Sequence, residues 1–135
     1  MKLVNHKKIL VIYHADCLDG FAAAWCAFKK FGNQARYIPA RFGEKFPKFE
    51  KGDDIYILDF CYSPETLLEV AKTAGKITLI DHHVTAMQQF ENAVLPENIK
   101  MNFDMSLSGC VMALQHFFAE IDVPMILQHI EDRDL

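Results

Sequence analysis

The stretch "KILVIYHADCLDG", residues 8–20, begins as an unbroken apolar, β-rich run and ends in His14, Asp16 and Asp19. A strand wetted on one face alternates apolar and polar residues. This run does not, so it predicts a strand covered on both faces, as in a parallel sheet. The pattern returns in "DIYILDF" (54–60) and "KITLID" (76–81), which run into Asp59 and into Asp81-His82-His83.

Helical patterns separate these runs. After an expected turn at Asp19-Gly20, "FAAAWCAFKKF" (21–31) reads as a strongly apolar helix stopped by Gly32-Asn33. "ARYIPA" (35–40) is a short strand ended by Pro39. Ser63-Pro64-Glu65 supplies an N-cap and a first-turn proline, and "ETLLEVAKTA" (65–74) carries apolar residues at helical spacing up to Gly75. Beyond lie a short helix near 84–90, a weak strand at "IKMNF" (99–103), a helix over about 107–120 beginning at Ser106 or Ser108, and a last helix after Pro124. Alternation of this kind predicts an α/β fold: a doubly wound, mainly parallel sheet with helices on both faces.

A chain of 135 residues with 51% hydrophobic and 24% charged content is one domain, long enough to bury roughly two-thirds of its unfolded surface. The net charge of -4 offers no broad attraction for nucleic acid or anionic membrane, so an anionic substrate has to be gripped locally. The basic residues Arg36, Arg41, Lys45, Lys48 and Lys51 are interrupted by Glu44 and Glu50 and read as a solvated loop. Cys17, Cys26, Cys61 and Cys110 form no CxxC pair and read as reduced thiols. No run approaches the roughly 20 apolar residues of a membrane span, and the apolar stretch after the first basic residues is too short for a signal peptide, so a cytoplasmic location without membrane contact is expected.

In an open parallel sheet the functional groups gather beyond the carboxyl ends of the strands. Here that edge receives His14, Asp16 and Asp19 from the first strand, Asp59 from a second, and Asp81, His82 and His83 from a third. Each alone has a bland reading, as a turn, a cap or a polar strand end. Together they would crowd carboxylates that raise each other's pKa values, a penalty that a divalent cation reverses. Carboxylate oxygen mixed with imidazole nitrogen suits manganese, magnesium, iron or zinc, and the number of ligands allows two ions.

The segments "YHADCLDGFAAAW", "ILDF", "IDHHVTA" and "EDRDL" resemble, in order, the acidic motifs of the DHH phosphoesterases, over essentially the whole chain. The resemblance implies a Rossmann-like DHH domain that holds two divalent ions, manganese above all with magnesium as an alternative. It implies hydrolysis of a phosphoester, phosphodiester or phosphoanhydride through two-metal activation of water. By the same resemblance Asp59 bridges the ions, His82 is a ligand, His83 contacts the substrate phosphate, and Asp132 is the last-motif ligand, with Asp134 as its substitute. His14, Asp16, Asp19 and Asp81 complete the expected metal set. The family separates its first two aspartates by one residue, whereas Cys17 and Leu18 stand between Asp16 and Asp19 here. The helix start at Ser108 and Gly109 is a candidate anion site, against the simpler reading of Ser108 as an N-cap.

The expected partner is a phosphate-containing small molecule or a short oligonucleotide, and a homo-oligomer is compatible with the sequence. The expected organisation is a catalytic domain over 1–135, with the family's C-terminal substrate domain outside this chain. Two other readings fit the pattern: an inactive relative that binds a nucleotide or partner, and a receiver-type signalling domain with Asp59 as acceptor.

Overall fold

The structure, a computed structural model, describes residues 8–119 and 122–135. The first basic residues, and residue 120 at the expected end of the fourth helix, lie outside the described residues. The strands are β1 (Ile9–His14), β2 (Ala35–Ala40), β3 (Asp54–Leu58), β4 (Ile77–Asp81) and β5 (Ile99–Phe103). The helices are α1 (Leu18–Phe31), α2 (Pro64–Ala71), α3 (Val84–Gln89), α4 (Gly109–Phe117) and α5 (Met125–Asp134). The sheet order is β2-β1-β3-β4-β5, and every neighbouring pair is parallel. The doubly wound α/β fold is therefore as expected. Its winding reverses between β1 and β3, which opens a crevice beyond their carboxyl ends.

Both faces of the sheet are buried. Leu10, Ile12, Ile55, Ile57, Ile77 and Leu79 pack with Leu67 and Val70 of α2 and Ala86 of α3. Val11, Leu58 and Ile80 face the opposite way, toward α1, α4 and α5. Each fully buried Leu or Ile contributes about 1.5–3 kcal/mol, so the continuous apolar runs are what hold the three central strands in place. α1 meets α4 through small side chains, Ala22, Ala23, Cys26 and Ala27, which let it lie close to the sheet. Its first turn is closer still: a Cβ on Gly20 would collide with the carbonyl oxygen of His14.

Three local expectations are corrected. Asp19-Gly20 is not a turn before α1 but part of its first turn, because Cys17 already has the extended backbone of a cap. β3 stops at Leu58, since Asp59 turns to φ 56° while its N–H still donates to the carbonyl of Ile80 at 2.8 Å. Strand and helix do not alternate throughout: residues 41–53 join β2 to β3 with no helix. Gly43 and Gly52, at φ 86° and 89°, and Pro47 break any helical run, and Phe46 and Phe49 pack on the sheet face that a helix would cover.

Candidate functional site

The left-handed backbone at Asp59 turns its carboxylate across the crevice at the winding reversal. The two oxygens face different neighbours. Oδ1 lies 2.9 Å from Nε2 of His82, whereas Oδ2 lies 3.5 Å from the Cys17 sulfur and 3.7 Å from Nδ1 of His14. Asp59 is 1% exposed, so neither oxygen is left to bulk water. An aspartate tolerates this backbone better than most residues because its short polar chain bonds locally.

Nε2 of His82 has two more carboxylates beside it, Oδ2 of Asp134 at 3.2 Å and Oδ2 of Asp19 at 3.3 Å. One ring N–H cannot serve three carboxylates. Asp19 is anchored from another side, accepting the backbone N–H groups of Gly109 and Cys110, each at 2.8 Å. Burial pushes its carboxyl up, but hydrogen bonds from His82, Cys110 and Gly109 outweigh burial and hold it well below the carboxylate range. Asp59 goes the other way: burial raises it, and the bond from His82 offsets only part of that while the Asp19 charge adds to it. Hydrogen bonds to Asp19 and Asp59 pull His82 up to about 10.

His83 follows immediately. Its Nδ1 lies 2.6 Å from Oδ1 of the buried Asp81, whose same oxygen accepts the His82 backbone N–H at 2.8 Å. That bond raises the His83 pKa against the effect of burial. It also fixes the ring, which borders a cavity of about 560 Å³. Phe42 and Glu44 from the helix-less connection, Tyr62 and Ser63 beyond β3, and Thr85 and Gln89 of α3 complete much of that wall.

His14, Asp19, Asp59, Asp81, His82 and His83 are thus brought to one edge, as expected. Two others are not. Asp16, at φ 55°, is exposed and pairs with Arg41 at 2.6 Å. Asp132 is exposed on α5 and joins no donor group, whereas Asp134 does. The helix explains the choice: Asp134 falls four and seven residues after the buried Ile130 and Leu127, on their face, and Asp132 does not. The start of α4 does hold an anion, but that anion is the Asp19 carboxylate. Ser108 is an N-cap, its oxygen accepting from the Val111 N–H at 3.3 Å while its own N–H donates to Glu131 at 2.8 Å. Ser108 and Gly109 therefore have no free backbone donor for a substrate. Sequence reading missed Cys17 as a neighbour of Asp59; its only signal was its place between the two first-strand aspartates.

Within the described residues, donor atoms lie within 4.8 Å of one another in three groups: Asp59, Asp81, His82 and His83; His14, Cys17 and Asp59; and Asp19, His82 and Asp134. Three buried side-chain atoms among the described residues have no hydrogen-bond partner, and two belong to these groups, Nδ1 of His14 and Oδ2 of Asp81; the third is the Tyr62 hydroxyl. Orphaned buried acceptors beside crowded carboxylates cost free energy that a cation recovers. Donors at right angles about 2.1 Å from one ion stand about 3.0 Å apart, close to the spacing around His82. The donor set fits divalent ions.

No family model matches the chain. It is 30% identical over 141 residues to an uncharacterized protein of Acanthamoeba polyphaga mimivirus, an alignment covering 93% of this chain and 33% of that protein. The chain thus spans about a third of the length of the curated relative it matches. A crystal structure of an uncharacterized protein from Helicobacter pylori superposes with a TM-score of 0.70 at 14% identity, over 96% of this chain and 44% of that one. The likeness shows the fold, an α/β domain with a parallel sheet. No helix among the described residues is long and apolar enough to cross a membrane.

Proposed function

We propose that this chain is the catalytic domain of a DHH-type, metal-dependent phosphohydrolase that cleaves a phosphoester, phosphodiester or phosphoanhydride. The observation that carries the reading is the division of Asp59, whose Oδ1 belongs to one donor group and whose Oδ2 belongs to another. A carboxylate so placed can bridge two cations.

His82, Asp19 and Asp134 hold one side, and His14 stands on the other. Bound divalent ions, manganese in the first place and magnesium as the alternative, supply charge neutralisation and water activation. The chain's own residues do the rest. Asp19 is kept ionised by the start of α4, so it holds its position without waiting for a cation. Asp81 orients His83 and favours its charged form, and the free side of that ring, at the cavity edge, can donate to a phosphoryl oxygen or to the departing group. The cavity beside it has room for the remainder of a small phosphorylated molecule or the end of a short oligonucleotide.

The receiver-type reading has less support, because β5 runs from Phe103 into Asp104 rather than into a lysine. The test is hydrolysis of bis-p-nitrophenyl phosphate with added manganese. Turnover that Asp59→Asn abolishes supports the reading. Silence with manganese, magnesium, cobalt and zinc alike would favour a binding module instead.

A further inference from the structure

Cys17 is the one cysteine that the sheet edge has not absorbed into packing. Cys26 and Cys110 lie between α1 and α4, and Cys61 is buried in the core on the opposite face of the sheet. Cys17 instead ends the approach to α1, half exposed, with its sulfur 3.5 Å from Oδ2 of Asp59. Nδ1 of His14, buried and without a hydrogen-bond partner, is 3.7 Å from the same oxygen. We infer that His14, Cys17 and Asp59 form a mixed nitrogen, sulfur and oxygen site for a zinc-type ion.

The inference rests on the reading above only in taking this edge as a cation site; the sulfur donor is additional. Around a tetrahedral ion, sulfur at about 2.3 Å and oxygen at about 2.0 Å stand about 3.5 Å apart, and nitrogen and oxygen about 3.3 Å. The observed spacings are close to these, so small side-chain adjustments complete the site. Thiolate and imidazole select zinc or cobalt over manganese and magnesium, which prefer oxygen. The two sides of Asp59 then differ in kind: His82, Asp19 and Asp134 offer mostly oxygen, and the Cys17 side offers sulfur. On binding, the thiol proton passes to solvent.

Cobalt(II) titrated into the metal-stripped protein is the probe, read by absorption. A near-ultraviolet sulfur-to-cobalt charge-transfer band is expected, and Cys17→Ser should remove it while the circular dichroism melt stays cooperative. Cys17→Asp should lower the preference for zinc over manganese at least ~10-fold in competition dialysis. Cobalt binding without that band, or a band intact in Cys17→Ser, overturns the sulfur ligand and leaves the proposed hydrolase standing. No cobalt binding at all overturns both.

Discussion

A Cβ on Gly109 would stand 2.6 Å from Oδ1 of Asp59, so the start of α4 lies directly against the residue that divides the site. Only a residue without a side chain fits there. Gly109→Ala is expected to force the two segments apart and to cost about 1–3 kcal/mol, read as a lower urea midpoint. An unchanged midpoint would mean that the crevice yields freely, and the picture of a rigid site would fail.

His82 gives the metal-free protein a dependence on pH. Its folded value is raised to about 10 from 6.5, so its contribution to stability is complete below pH 6.5 and is lost as pH rises through about 10. Urea midpoints across that window should fall more steeply for the wild type than for His82→Gln. A bound cation takes the neutral ring, so metal affinity should rise over the same interval. Parallel curves for the two proteins would argue against the paired imidazolium.

Asp134, rather than Asp132 or Asp16, is expected to matter for metal. Asp134→Asn should weaken manganese or zinc binding at least ~10-fold, while Asp132→Asn and Asp16→Asn stay within about twofold. Calorimetric titration separates them. For Asp16 the loss is an exposed, solvent-screened pair with Arg41. The reverse ranking would return the ligand role to the position that motif spacing favoured.

Metal should stabilise the fold. Saturation at ~100 times the dissociation constant adds ~2.7 kcal/mol, which chelator should remove. Asp59→Asn is the informative control, because asparagine also accepts the left-handed backbone. Its melting temperature should be indifferent to manganese and zinc.

Much of this was legible before the fold. Continuous apolar runs named β1, β3 and β4, and their polar ends named Asp59, Asp81, His82 and His83, because a buried parallel strand has few other places to keep such residues. What the motifs could not settle was direction in space. Asp134 outranks Asp132 through the helical face set by Leu127 and Ile130, a periodicity present in the sequence but overridden by motif spacing. Asp19 looked like a turn residue because its partners, the N–H groups of Gly109 and Cys110, are ninety positions away. The connection between β2 and β3 reads as a solvated loop from its charges, and what those charges hid is that Phe46 and Phe49 pack it onto the sheet.

That helix-less connection separates two inheritable properties. The donors at the sheet edge come from strand ends and helix ends, whereas Phe42 and Glu44 of the cavity wall hang on a strap tied down near Arg41 and again at Asp53. On the proposed reading, transplanting residues 42–52 from a relative should therefore retune which molecules the cavity admits while the donor atoms beneath keep their places.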